Sequence, residues 1–256
     1  MIKVSHEIPI ELFPAHDFIN DYPYVLAHLL MKDTEHYDKV YASFYKECLR
    51  RHSYSILDNS AFELGCSVDS KVLVDLCNEY KPTHLVLPDV YGDMKGTLEL
   101  TLDFIKDYGD QSGSTKLIAV CQGELLTEYE ECMRIYNDIN AIDIVCINHR
   151  TLAGGVTRKN AMAALYAFGL LKKKIHLLGC STPGEFKDYN TFRWCIHSID
   201  TSAPIIYGWN KIAFDKDGTL ASKPKEKLAD NLYISFDDEQ LQTITHNVRM
   251  FRSYIH

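Results

Sequence analysis

The chain of 256 residues has no run approaching the roughly 20 apolar residues that a membrane-spanning helix needs. No signal-peptide pattern opens it, so the expectation is a cytoplasmic protein with no membrane partner. Its cysteines stand singly, at 48, 66, 77, 121, 132, 146, 180 and 195, with no Cys-x-x-Cys among them. That spacing indicates neither a zinc knuckle nor a redox pair, and it fits buried thiols in a reducing compartment. No Gly-rich dinucleotide fingerprint follows the first apolar strand. No His/Cys/carboxylate set has metal-ligand spacing, so neither a metal nor a cofactor is expected. Positive charge is also short: 27 Lys and Arg against 35 Asp and Glu leave a net charge of −8. This argues against a general nucleic-acid coat and leaves room for a local basic groove.

What is present is a globular composition, 46% hydrophobic and 24% charged, at a length that suits one barrel domain over 1–256. Apolar runs at 24–30, 55–57, 83–87, 117–121, 142–147, 175–178 and 195–199 read as strands, with 205–207 as an eighth. Helices are expected at 40–51, 69–80 (capped by Asp69), 94–108, 127–136 and 158–171, with a closing helix at 237–254. Thr182 reads as an N-cap with Pro183 at the first helical position. The opening at 4–9 is short and polar, and 211–230 reads as a loop or insertion. Strand and helix alternate about eight times over short connections, which predicts an α/β fold, a (β/α)8 TIM-like barrel.

In such a barrel the residue just past each strand faces one shared mouth. The stretch Leu57-Asp58-Asn59-Ser60-Ala61-Phe62-Glu63 delivers a carboxylate there, and Asp89, Gln122, Asn148 and Asp200 recur at equivalent places. Paired carboxylates can act as nucleophile and general acid or base at a glycosidic carbon. A further carboxylate and an amide can read the hydrogen-bonding edge of a planar base, and an aromatic can stack on its face. Chemistry at a nucleoside's glycosidic bond fits this inventory, as do acid sugars and other polar ligands.

The same residues carry a resemblance. Asp58-Asn59-Ser60-Ala61-Phe62-Glu63 resembles the Asp-Ser-Gly-Gly-Phe-Gln motif of tRNA-guanine transglycosylases, and Pro88-Asp89 resembles their next Asp. Val120-Cys121-Gln122-Gly123 is similar to their Val-Gln-Gly, and Leu178-Gly179-Cys180-Ser181-Thr182-Pro183 to their Met-Gly-Val-Gly-Thr-Pro. Ser198-Ile199-Asp200 falls where they have Gly-Ile-Asp. The Ser-His-Glu-Ile-Pro opening is most similar to the phage-encoded branch, the DpdA-type enzymes that exchange guanine in DNA for a 7-deazaguanine.

The resemblance implies a glycosyltransferase with DNA and a free 7-deazaguanine base as partners, located in the host cytoplasm, with a homodimer left open. It implies Asp58 and Asp200 as catalytic residues, the first as general base and the second as nucleophile. Phe62, Asp89, Gln122, Gly123, Asn148, Leu178 and Gly179 would bind the base. Two departures stand beside it. The tRNA enzymes carry their nucleophile three residues beyond the Asp matched by Asp200, where this chain has Ala203, and their zinc-binding cysteines are absent. Transfer into RNA and a non-catalytic nucleobase-binding barrel are the alternatives. Gly154-Gly155 with Arg150, Arg158 and Lys159 is a candidate cradle for a backbone phosphate. Phe214-Asp215-Lys216-Asp217-Gly218-Thr219-Leu220 matches a phosphatase nucleophile motif, but only 36 residues follow it. A loop is the expected reading.

Overall fold

The computed structural model describes residues 1–149, 152–181, 183–187, 189–216, 218–219, 221–222 and 224–255. The expected N-cap Thr182, the candidate phosphate ligand Arg150 and the motif residues Asp217 and Leu220 lie outside them. The strands are β1 (Lys3–His6), β2 (Tyr24–Leu26), β3 (Ile56–Asp58), β4 (His84–Val86), β5 (Lys116–Cys121), β6 (Ile142–Asn148), β7 (Lys174–Leu178) and β8 (Ile196–Thr201). They form one parallel sheet in the order β1-β8-β7-β6-β5-β4-β3-β2. Between and after them come α1 (His16–Ile19), α2 (Lys39–Arg51), α3 (Ala61–Leu64), α4 (Ser70–Tyr80), α5 (Met94–Tyr108), α6 (Leu126–Asp138), α7 (Arg158–Ala167), α8 (Pro183–Lys187), α9 (Ala203–Trp209) and α10 (Asp238–Ile255). The chain therefore has the α/β, (β/α)8 TIM-barrel class expected. Among the described residues no helix is long and apolar enough to cross a membrane.

Helix starts follow from side chains that satisfy free backbone donors. Asp38 accepts from Tyr41 N, Asp69 from Lys71 N and Val72 N, Asp93 from Gly96 N and Thr157 from Asn160 N. α7 stops at Ala167, short of the expected 171, and Gly169 follows at φ +65° in the left-handed region that ends a helix.

The strand count is as expected, but two assignments move. The polar opening is itself a strand, β1, and the apolar run at 205–207 lies inside α9. In β1, Val4 and His6 share one face while Lys3 and Ser5 share the other. The His6 ring meets Phe251 of α10 edge-on at 5.8 Å, so the Val4 face packs on that helix and the remaining face is polar. A four-residue strand with a polar face leaves no apolar run to detect. α9 fails the opposite way, because Ala203 through Gly208 are all buried and no polar face reveals its period. Gly208 is where α9 crosses α10, since a Cβ there would stand 2.5 Å from an Ile244 side-chain carbon.

Contacts divide the chain into two compact units, Met1–Asp21 with Leu177–His256, and Tyr22–His176. The core of the second is built from alternate residues of adjacent strands: Ile56, Val86, Ile118, Val120, Ile144 and Cys146, with Tyr22 and Tyr54. Each such buried aliphatic side chain contributes about 1.5–3 kcal/mol. Continuing these faces by steps of two leads from Ile56 to Asp58, from Val120 to Gln122 and from Cys146 to Asn148. The apolar interior thus turns polar at the carboxyl ends of the strands.

Candidate functional site

The first element is the turn after β3. Tyr24 pairs with Ile56 and Leu26 with Asp58 in the β2–β3 register, so Tyr24 starts two residues below the carboxylate on a neighbouring strand. Its hydroxyl reaches up and donates to Asp58 Oδ1 at 2.6 Å, while Ser60 N donates to Oδ2 at 2.8 Å. A hydrogen bond to an ionised carboxylate contributes about 1.5–3 kcal/mol. The Tyr24 ring also stacks on His176, 5.9 Å away at an interplanar angle of 10°. Turning the chain this sharply places Ser60 at φ +59°, a left-handed conformation that a non-glycine residue adopts only under constraint. The constraint is visible: Ser60 Oγ accepts from His28 N at 3.2 Å, and Asn59 Oδ1 accepts from Ala61 N.

Asn59 links this turn to the next. Its Nδ2 donates to Leu87 O at 2.6 Å and to Asp89 Oδ1 at 2.7 Å. The other oxygen of Asp89 accepts from Gln122 Nε2 at 2.5 Å. Gln122 Oε1 in turn accepts from Gly92 N at 3.1 Å and from Asn148 Nδ2 at 3.0 Å. Tyr129 closes the chain by donating to Asn148 Oδ1. Ser67 clamps the Asp89 backbone in both directions, accepting from its N–H and donating to its carbonyl. Asp89 is only 6% exposed. Burial pushes its carboxyl above the ordinary carboxylate range, against the weaker downward pull of the Asn59 and Gln122 hydrogen bonds. All its side-chain donors are neutral amides among the described residues.

A buried carboxylate beside an amide can read the hydrogen-bonding edge of a planar ligand. A carboxylate carries about four lone-pair sites, and Asn59 and Gln122 occupy two, which leaves room for ligand N–H donors. Gln122 Nε2 has a second hydrogen for a ligand carbonyl. Gly123 brings the backbone past β5 at φ +144°, and a Cβ there would fall 2.7 Å from Glu128 Cβ. Only glycine fits. Glu128 itself accepts from Glu124 N and Leu125 N and so fixes the start of α6.

Of the residues expected at the site, Asp89, Gln122 and Asn148 are joined by direct hydrogen bonds. Asp58 is one residue from Asn59 and is held by its own partners. Phe62, on the single turn of α3, is 73% exposed, and Tyr91 past β4 is similarly open. Arg158 is a correction: it is buried and donates to Ile147 O at 3.0 Å, which ties α7 to β6 and removes it from any phosphate-facing surface. Lys159 is exposed. Asp215 and Gly218 bond each other through their backbones outside all eight strands, so the described part of this motif does not end a strand.

Leu178, Gly179 and Asp200 belong to the other unit. Asp200 lies within β8, one residue before its end, where it was expected just past the strand. Its Oδ1 accepts from Gly179 N at 3.0 Å and its carbonyl from Cys180 N at 2.9 Å. Gly179 makes this possible at φ +66°. Ala203 is fully buried at the start of α9, with its N–H on Thr201 Oγ1. Tyr24, Asn59 and Tyr129 were not singled out from the sequence. Each acts on a residue on another element or turn, and no local pattern signals such a pairing. No protein-family model and no curated protein matches the chain.

Proposed function

We propose that this protein exchanges guanine in DNA for a free 7-deazaguanine base at the glycosidic carbon. The observation that supports this reading is the buried Asp89–Gln122 pair, a carboxylate and an amide side by side with donors and acceptors to spare. Guanine offers N–H donors at N1 and N2 beside a carbonyl at C6, which matches a carboxylate next to an amide N–H. A 7-deazaguanine presents the same edge, because it differs from guanine at position 7. One edge-reading site then serves the departing and the incoming base.

In this reading the resemblance assigns the two remaining strand-end acids. An oxygen of Asp200 bonds to C1′ of the nucleotide as the bond from C1′ to N9 of guanine breaks, and the departing base takes up a proton from water, to which Asp58 later returns the one it accepts. The incoming base loses its N9 proton to Asp58, and N9 attacks C1′ as the Asp200 ester bond breaks. One proton is taken up and one returned, and two inversions restore the configuration. Tyr24 and Ser60 N hold Asp58 in place for its share.

The test is incorporation of labelled guanine into duplex DNA, run beside tRNA. Label entering DNA supports the proposal, and label entering only tRNA replaces DNA with RNA as the substrate. Asp200→Asn keeps the shape of the side chain without its charge, and should abolish a denaturation-resistant protein–DNA adduct while DNA binding persists. A second reading, a nucleobase binder without turnover, is favoured by Ala203 standing where the resembling enzymes carry their nucleophile. Base binding without adduct or exchange would establish it.

A further inference from the structure

Large apolar side chains of the 22–176 unit stand in water past the carboxyl ends of three neighbouring strands. Phe62 follows β3 and is 73% exposed, Val90 and Tyr91 follow β4 at 39% and 68%, and Leu125 follows β5 at 50%. β3, β4 and β5 are adjacent in the sheet, so the three loops are neighbours as well. A single exposed apolar residue needs no explanation, whereas a group of them on adjoining loops marks a binding surface.

Tyr91 is fixed in place beside the Asp89–Gln122 pair. Asp93 N donates to Val90 O at 3.1 Å and Gly92 has φ +76°, which makes 90–93 a type II turn with Tyr91 at its first corner. Gly92 N donates to Gln122 Oε1 at 3.1 Å, so the turn rests on the amide itself. Thr97 Oγ1 accepts from Val90 N and donates to Val90 O, and Asp93 caps α5. Such a corner favours Pro, and the backbone has no need of an aromatic there. Tyr91 is two residues from Asp89, at most about 7 Å of chain, which is about two steps of a base stack. The neighbouring charges are negative: Asp93 and Glu124 are exposed on the same loops. They repel phosphate, so the part of a nucleic acid that fits here is the uncharged face of a base.

We infer that Tyr91 is a nucleic-acid-binding residue whose ring stacks on the base next to the one read by Asp89 and Gln122. The inference rests on the base-exchange reading and adds to it the form of the strand. A neighbouring base can meet the ring only when parted from the stack of a duplex, so the strand is taken single or locally opened. Every base has a π-face, so the contact accepts any neighbour and selects for the opened strand rather than for a sequence. A braced turn also spares the ordering that a mobile loop would lose on binding.

The test measures the affinity of wild type, Tyr91→Phe and Tyr91→Ala for three ligands. These are free guanine, a short single-stranded DNA with one central guanine, and the same strand with abasic sugars on both sides of that guanine. The abasic strand keeps every phosphate and lacks only the neighbouring bases. Wild type and Tyr91→Phe should prefer the complete strand roughly tenfold, the scale of stacking one base on an aromatic ring. Tyr91→Ala should bind both strands alike, at the level of the abasic one. Free guanine should bind all three proteins equally, and their thermal midpoints should agree, since the side chain is exposed. A preference retained in Tyr91→Ala would overturn the inference. So would a loss in Tyr91→Phe as large as in Tyr91→Ala, or a matching loss for free guanine. If wild type binds neither guanine nor either strand, the base-exchange reading has failed and takes this inference with it. If wild type binds guanine but does not distinguish the two strands, the stacking contact alone has failed.

Discussion

Each end of the strands in the 22–176 unit carries a carboxylate network, and the two are built from opposite partners. At the amino ends Asp143 of β6 meets His84 Nε2 at 3.2 Å, Lys174 Nζ at 3.6 Å and Lys116 Nζ at 3.7 Å. These come from the first residues of β4, β7 and β5. Burial pushes the Asp143 carboxyl up, but the His84 hydrogen bond and the two lysine charges outweigh it and hold it below the usual range. At the carboxyl ends Asp89 is deeper, has only amides for side-chain donors, and is held above the usual range. The amino-end carboxylate is neutralised by its own fold. The carboxyl-end one has no cationic partner among the described residues, so its charged form is left uncompensated, and there a ligand donor has most to add. In barrels the carboxyl face is also where chemistry resides and the amino face where stability does.

The contrast can be broken most decisively by base binding. Asp89→Ala and Gln122→Ala should each weaken 7-deazaguanine binding by about a hundredfold or more, because a buried hydrogen-bonding edge loses heavily when one partner goes. Asp143→Ala should leave that affinity as it is. Titration calorimetry on the three variants decides the matter, and equal losses at both ends would erase the functional distinction.

Stability sharpens it next. Gly123→Ala forces a Cβ to 2.7 Å from Glu128 Cβ at a φ of +144°, and should cost about 2–3 kcal/mol in chemical denaturation. Gly154→Ala, at φ +77° with nothing within 4 Å, should cost only about 1 kcal/mol. Similar losses would mean that the backbone past β5 has slack.

The smallest effect is the pH dependence, and its sign differs between the two ends. Asp143 has a depressed folded value, so its contribution is present above the unfolded value of about 3.9 and is lost as pH falls through the folded one. Asp143→Asn should therefore cost about 1 kcal/mol or less near neutrality, the scale of partly exposed ion pairs, and nothing in strong acid. Asp89 has a raised folded value, so its contribution is present below about 3.9 and is lost as pH rises through the folded one. Urea midpoints across pH 2–7 for wild type, Asp143→Asn and Asp89→Ala would show the two difference curves sloping opposite ways. Curves of one slope would contradict the assignment.

Much of this is legible in the sequence. The helix expected at 94–108 is α5 at the same bounds, and the Asp93 side chain that caps it, accepting from Gly96 N, is seen only in the structure. Asp89, Gln122 and Asn148 are legible as a set because each follows an apolar run at the end of a strand; period-two alternation carries the core face on to Gln122 and Asn148, while Asp89 falls one residue off it, past Pro88. What stayed hidden had no local signal. β1 is too short and too polar on one face, and α9 is too buried to show a period. Tyr24 and Asn59 act on acids 34 and 30 residues away, distances at which sequence spacing carries no information about contact. Arg158 misled because a cation at a helix start resembles a phosphate ligand whether its guanidinium faces outward or, as here, a buried carbonyl.

Seven of the eight cysteines are buried, and Cys66 alone is exposed. It stands between Gly65, which ends α3 in the left-handed region, and Ser67, which grips the backbone of Asp89 from both sides. The unmodified protein thus offers one thiol to a water-soluble reagent, beside the loop that fixes Asp89. A fluorophore or spin label placed there would need no engineered background. Its signal would follow occupancy of the site in real time, whatever chemistry occurs next.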